Sequence, residues 1–280
     1  MDSPCEPDVL YRAASLALGH AASPSMTPSS RNPITNPLVV LPTYNEAENI
    51  DEVLRLVRKH LPTASVLVVD DGSPDGTADL AEATGADVGQ VSVLRREGKN
   101  GLGSAYRAGF RWGIEHGHDA LMEMDSDLQH DPAELPSLLS ALDGADLVIG
   151  SRWVSGGSAP GWSKVRVLIS RGGSLYSRLV LGLPVRDVTA GYRAYRATQI
   201  ERIDLDAIRA DGYGFQVEMT YVTRSTGGTI VEVPITFGSR ARGTSKMSSR
   251  IVIEAMLLVT WWGLRDRVFR QRPKAARTAA

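Results

Sequence analysis

Leu38-Val39-Val40-Leu41-Pro42-Thr43-Tyr44-Asn45-Glu46 sets the reading of the whole chain. Four consecutive apolar residues, ended by a proline and a polar cluster, predict a strand buried on both faces. Ile50, Val53, Leu54, Val57 and Leu61 then recur at helical spacing up to Pro62, and Asn45 and Glu48 are placed as a capping box. The pattern repeats downstream. Residues 66–69 predict a second strand that runs into Asp70-Asp71-Gly72-Ser73-Pro74-Asp75-Gly76-Thr77, and Leu80, Ala81 and Thr84 mark the next helix. Residues 91–94 form a third strand, and Gly98-Lys99-Asn100-Gly101 precedes a helix over about 102–114. Residues 121–124 form a fourth strand, Pro132 opens a helix at its favoured first position, and 145–150 is a fifth strand. This alternation predicts an α/β fold with a doubly wound, mostly parallel sheet. After residue 150 it loosens into helical residues 165–181, a strand near 188–195, a helix over 215–224 and a strand over 230–235. The last expected helix, about 248–270, is apolar first and basic later.

Composition narrows the class. With 280 residues, 42% hydrophobic and 22% charged, the chain is neither disordered nor collagen-like. The single Cys5 excludes an internal disulfide framework and a cysteine metal cage. The net charge of −1 conceals an asymmetry: from Arg240 onward there are 10 Lys/Arg against 2 Asp/Glu. A basic end on an acidic body predicts an anionic partner, whether phosphate, membrane surface or nucleic acid. Residues 1–36 read as a Ser/Pro-rich tail, 37–247 as the folded domain, and 248–280 as an amphipathic basic helix and tail. The longest apolar run, 251–264, is interrupted by Glu254 and falls short of the roughly 20 residues a membrane span needs. No secretory signal is evident, and a cytoplasmic location is expected.

Ligands of open parallel sheets bind beyond the carboxyl ends of the strands. Three such ends carry polar clusters here: 42–46, 70–75 and 125–129. No glycine fingerprint of a dinucleotide site or P-loop follows the first strand. Asp125-Ser126-Asp127 places alternate carboxylates after a strand, an arrangement suited to a hard divalent cation that bridges to phosphate; the plain alternative is a turn of solvated acids. In the second cluster, Ser73 or Asp75 can serve the helix entry, while adjacent Asp70 and Asp71 can accept from a base or ribose. Arg240-Ala241-Arg242-Gly243-Thr244-Ser245-Lys246 reads either as a solvated loop or as a diphosphate clamp, with Arg152 and Arg166 adding to a cationic wall. The five histidines do not group as a zinc site, and no Ser/His/Asp nucleophile pattern is present. Trp261-Trp262 is open between interfacial anchor and core.

Taken in order, the segments 42–46, 70–77, 125–130 and 240–246 resemble family 2 glycosyltransferases of the GT-A fold, and within them the polyprenyl- and dolichyl-phosphate mannose synthases. The resemblance covers about residues 38–250. It implies transfer of mannose from GDP-mannose to polyprenyl monophosphate, with inversion and with Mg²⁺ or Mn²⁺. It assigns Pro42, Tyr44, Glu46, Val69 and Asp71 to the guanosine. It assigns Asp125, Ser126, Asp127 and Gln129 to diphosphate and metal, with Asp127 and Gln129 as ligands, and Asp125 and Asp127 to the catalytic centre. Arg152, Arg166, Arg240 and Lys246 would contact phosphates or sugar, and residues 187–193 resemble an acceptor-side segment. Ser126 stands where the family often has alanine. A lipid acceptor further implies an anionic membrane surface, peripheral binding on its cytoplasmic face through the C-terminal helix, and a membrane-anchoring partner protein. The competing readings are a UDP-glucose or other nucleotide-sugar donor, a nucleotide-sugar-binding protein without turnover, and a nucleic-acid binder, the last without any recognition motif.

Overall fold

A computed structural model describes residues 31–238 and 256–265. The strands are β1 (Pro37–Thr43), β2 (Ser65–Asp70), β3 (Val91–Arg95), β4 (Ala120–Glu123), β5 (Leu147–Ser151), β6 (Arg193–Arg196) and β7 (Ile230–Pro234). The helices are α1 (Ile50–His60), α2 (Thr77–Val88), α3 (Leu102–Glu115), α4 (Leu135–Ala141), α5 (Lys164–Leu181), α6 (Ala197–Glu201) and α7 (Gly212–Ser225). Residues 256–265 form a further helical segment, α8.

One seven-stranded sheet runs in the order β3-β2-β1-β4-β6-β5-β7. The pairs β3–β2, β2–β1, β1–β4 and β5–β7 are parallel, whereas β6 runs antiparallel between β4 and β5. The mostly parallel sheet expected from the alternation is present. The switch in strand order beside β1 opens a crevice over the carboxyl ends of β1, β2 and β4.

β1 has no polar face because both of its faces are covered. Val39 and Leu41 pack with Val66, Val68 and the α1 stripe Ile50, Val53, Leu54 and Val57. Leu38 and Val40 face the other way, into a cluster with Leu67, Val69, Tyr106 and Phe110. α1 carries Asp51 and Glu52 in its first turn and Arg58, Lys59 and His60 in its last, matching the helix dipole.

Several local expectations are corrected. The Asn45/Glu48 capping box does not form. Asn45 takes a left-handed backbone (φ 59°) and its N–H donates to Ser73 Oγ, so α1 starts later, after Asn49. The strand expected at 188–195 is only Arg193–Arg196, because residues before it turn back to hold Arg152 and Arg193. Pro132 begins a short 3₁₀ turn, Pro132–Glu134, that leads into α4. Of the expected terminal helix, residues 256–265 are helical, and the remainder lies outside the described residues, as do residues 1–30. No helix among the described residues is long and apolar enough to cross a membrane. The tryptophan pair divides: Trp262 is buried and Trp261 exposed.

Candidate functional site

The loops after β1, β2, β3 and β4 enclose a cavity of about 290 Å³. Seven of the residues singled out in the sequence line it: Pro42, Tyr44, Glu46, Asp71, Asp125, Ser126 and Asp127. Lys99, from the loop after β3, completes the wall, with its ammonium 4.5 Å from the centre of the Tyr44 ring. That cation was missed, although its position after a strand end marks it as clearly as the others.

The second acidic cluster divides by role. Asp70 braces the loops: its carboxylate accepts from Thr43 Oγ1 (2.9 Å), Ser73 Oγ (2.6 Å) and the Ser73 N–H (2.9 Å). Asp75 accepts from the N–H groups of Ala47 and Thr77, both at 3.1 Å, and so ties the loop after β2 to the loop after β1. Asp71 is left to the cavity. It pairs with Arg96 at 2.9 Å and accepts from the Asn100 N–H at 3.3 Å. Burial raises its pKa, and Arg96 opposes that rise.

The turn after β4 is built around three anchors. Ser126 donates to the Pro42 carbonyl at 3.0 Å, and Asp125 and Asp127, on either side of it, both line the cavity. The Asp125 N–H donates to His130 Nδ1 at 3.1 Å, and Tyr106 Oη donates to Asp125 Oδ1 at 3.4 Å. Leu128 takes a left-handed backbone (φ 61°), a conformation that costs a branched residue about 1–3 kcal/mol and collects at functional turns. Past it, the Gln129 N–H donates to Asp127 Oδ1 and its Nε2 donates to the Gly238 carbonyl, both at 3.1 Å.

His130 is buried, and burial together with the Arg152 charge lowers its pKa to about 3. It is therefore a neutral ring whose Nδ1 lone pair is already engaged. Its ring stacks on Tyr192 at 4.7 Å and meets Phe237 edge-on at 5.1 Å.

A second, smaller cavity of about 60 Å³ lies between α5, α7 and α8. Arg152 and Arg166, expected to stand with the other phosphate contacts, line this cavity instead of the first. Arg152 is held by Asp187 and Thr189. Both cations lie over the Trp162 ring, the Arg152 guanidinium 4.9 Å and that of Arg166 3.7 Å from its centre. Ile169, Val217, Met256 and Val259 give the walls an apolar character. Three buried polar atoms of its lining residues, Trp162 Nε1, Arg166 Nε and Ser170 Oγ, have no hydrogen-bond partner among the described residues.

The remaining sequence candidates are Val69, Arg240 and Lys246. Val69 is fully buried, in the core cluster with Val40, and backs the crevice without lining it. Arg240 and Lys246 lie outside the described residues. Beyond Lys99, sequence reasoning also missed Trp162, which carries no motif.

The geometry agrees with what the chain is similar to. It is 56% identical to an undecaprenyl-phosphate mannosyltransferase of Micrococcus luteus, over 82% of this chain and 95% of the relative. It is 48% identical to a polyprenol monophosphomannose synthase of Mycolicibacterium smegmatis, over 88% and 93%. Among solved structures, glucosyl-3-phosphoglycerate synthase from Mycobacterium tuberculosis shares the fold with a TM-score of 0.62 at 23% identity, over 81% of this chain and 80% of that one. The same protein solved with Mn²⁺ and UDP-glucose matches with a TM-score of 0.58 at 23% identity, over 83% and 80%. The model of Glycosyl transferase family 2 matches residues 38–203, from β1 to just past α6, and this chain belongs to that family.

Proposed function

We propose that this protein transfers mannose from GDP-mannose to a polyprenyl monophosphate, with inversion at the sugar carbon, as a peripheral protein on the cytoplasmic face of a membrane. The two mannosyltransferase relatives supply the substrate class. The second cavity carries the reading on this chain. Apolar walls that meet two guanidinium groups and unpartnered buried donors suit a ligand with a hydrocarbon tail and an anionic head. The nucleotide sugar would occupy the larger crevice, its base beside Asp71 and its diphosphate toward Asp125 and Asp127. Arg240 and Lys246 would reach the diphosphate from the basic loop.

A divalent cation fits the turn after β4. Asp125 and Asp127 both present carboxylates to the cavity, and Gln129 gives its amide N–H to Gly238, leaving the amide oxygen as its donor atom. These are hard oxygen ligands of the kind Mg²⁺ and Mn²⁺ take. No group of three or more His, Cys, Asp or Glu able to hold a metal occurs among the described residues. The protein would thus supply part of the shell and the donor's diphosphate the rest. When bound, the ion neutralises charge on the departing diphosphate.

The reaction breaks the bond from the sugar carbon to the diphosphate oxygen and forms one to an acceptor phosphate oxygen. Arg152 and Arg166 would hold that phosphate, with Trp162 keeping the two cations in place. A phosphate monoester has a second pKa of about 6 and is largely ionised near neutrality, so no side chain need remove a proton. The engaged, neutral His130 agrees with this chemistry.

The test is incubation of the full chain with polyprenyl monophosphate, Mg²⁺ or Mn²⁺, and a panel of labelled GDP- and UDP-sugars. Mannolipid formation from GDP-mannose is expected. Preferred use of a UDP-sugar would overturn the donor assignment. Donor binding without transfer from any sugar would make the protein a binder.

A further inference from the structure

We propose that Asp211, at the start of α7, is a positioning residue of the donor site: it holds, from another helix, the loop that carries Lys99 over the larger crevice. Asp211 lines neither cavity. Its side chain makes no capping bond to the helix it opens. Instead its Oδ1 accepts from the Gly103 N–H of α3 at 2.6 Å, across 108 residues of sequence.

α3 has no such contact of its own. Gly101, at its N-cap, has no side chain, and its first turn carries no acidic residue. Glycine stands at 101 for two reasons. Its backbone is left-handed (φ 88°), a conformation that strains other residues. A Cβ there would also collide with the Asp211 carboxylate, 2.6 Å from Cγ and closer still to Oδ2. The usual capping side chains, Ser, Thr, Asp and Asn, are thus excluded at 101, and Asp211 supplies from outside the oxygen they would give from within. The same turn of α7 presses close by packing. A Cβ on Gly103 would lie 2.9 Å from Phe215 Cδ2 and 3.0 Å from the Ala210 carbonyl oxygen. Phe215 stacks on Tyr106, their ring centres 6.0 Å apart.

The loop after β3 is therefore tied at both ends. At the strand end, the Arg96 N–H donates to the Asp70 carbonyl at 2.8 Å, and the Arg96 guanidinium pairs with Asp71. At the helix end, Asp211 holds Gly103. Between these ties the Asn100 N–H reaches Asp71 and Lys99 lies over Tyr44, so the loop forms a wall of the crevice. Gly98-Lys99-Asn100-Gly101 is costly to order because glycine loses the most backbone freedom. Without the second tie, that cost falls on ligand binding. Tyr213 and Val217 of α7 line the smaller cavity, which Asp211 does not, so the effect belongs to the donor. The assignment rests on the reading of the larger crevice as the nucleotide site.

The experiment uses the full chain. Calorimetric binding of GDP and of UDP, each with Mn²⁺, is measured beside steady-state transfer. Asp211→Ala removes a charge-assisted hydrogen bond and is expected to weaken binding of the preferred nucleotide and raise the donor KM by about tenfold. kcat and the KM for polyprenyl phosphate should not change. Asp211→Asn keeps an oxygen for the Gly103 N–H and should restore affinity close to that of the wild type. Amide exchange over residues 97–103 should be faster in Asp211→Ala and not in Asp211→Asn. In a double-mutant cycle with Lys99→Met, the combined loss should be smaller than the product of the two single losses, because Asp211 acts through the loop that carries Lys99. Lower thermal stability with nucleotide affinity unchanged, or equal rises in both KM values, would make Asp211 a structural residue and overturn the proposal. Losses that multiply in the cycle would overturn it too. If UDP is the nucleotide bound and Asp211→Ala weakens it as described, the GDP-mannose reading falls and Asp211 keeps its role. If GDP is bound and used equally well by every Asp211 variant, that reading stands and the proposal falls.

Discussion

Asp187 holds Arg152 at three points: its carboxylate accepts from the Arg152 N–H at 2.9 Å, from Nε at 2.7 Å and from Nη2 at 2.6 Å. Both residues are buried. A cation fixed so firmly beside a cavity is positioned before any ligand arrives, so little ordering remains to be done on binding.

Breaking this pair from one side should be severe. Asp187→Ala leaves a buried guanidinium without its partner, a change that typically costs about 3–5 kcal/mol. Urea unfolding of Asp187→Ala and of the double variant Arg152→Met/Asp187→Leu separates charge from packing. The double variant is expected to recover most of the lost stability and none of the transfer to lipid acceptor. Full activity in the double variant would remove Arg152 from the acceptor site.

Trp162 should matter to the acceptor and not to the donor. Each cation–π contact is worth roughly 0.5–2 kcal/mol. Trp162→Ala is therefore expected to raise the KM for polyprenyl phosphate by about tenfold, which corresponds to 1.4 kcal/mol. Donor KM should stay within experimental error, because Trp162 does not line the larger cavity. Parallel rises in both constants would show a general loss of structure.

Asp127→Ala is expected to abolish transfer at saturating Mg²⁺ and Mn²⁺ while the fold survives. The Gln129 N–H loses its acceptor, a cost of about 1–3 kcal/mol if it stays buried, and no apolar core is opened. Wild-type turnover in this variant would sink the metal assignment.

Acid should destabilise the protein through His130. Its pKa falls from about 6.5 in an unfolded chain to about 3 in the fold, so between those values the unfolded state binds the extra proton. Stability is thus retained above about pH 6.5 and lost as pH falls toward 3. The slope is about 1.4 kcal/mol per pH unit, or ~2 kcal/mol between pH 6.5 and pH 5. Glu123 works in the opposite direction, because burial raises it to about 7. Comparing wild type with His130→Asn cancels that contribution. The stability gap between the two proteins should narrow by ~2 kcal/mol on going from pH 7 to pH 5. A gap independent of pH would mean that His130 is protonated in the fold.

Much of this was legible in the residues. Buried parallel strands are nearly uniform in hydrophobicity, so residues 38–41, 66–69 and 121–124 declared themselves. The polar clusters after them could only stand on one edge of the sheet, and seven candidates line one cavity. What escaped depends on contacts distant in sequence. Whether Asp70 or Asp71 faces a ligand is decided by Thr43 and Ser73. The reversal at β6 left no mark in periodicity, because Arg193 and Arg196 are buried charges satisfied by backbone carbonyls. α5 was recognised as helical, but its spacing does not say which way its periodic leucines face. Only the fold shows that they face outward.

Glu232 gives the site an order of completion. Its carboxylate accepts the N–H groups of Arg186 and Asp187 at 2.7 and 2.9 Å, and so braces the loop whose Asp187 grips Arg152. The residues lining the larger crevice all lie between Pro42 and Asp127, whereas the brace arrives with β7 and the cavity wall with Met256 and Val259. As the chain leaves the ribosome, the residues that line the larger crevice emerge well before those that complete and brace the smaller cavity. A truncation before residue 230 therefore removes the brace on Asp187 and the Met256 and Val259 wall of the smaller cavity, while sparing every residue that lines the larger crevice.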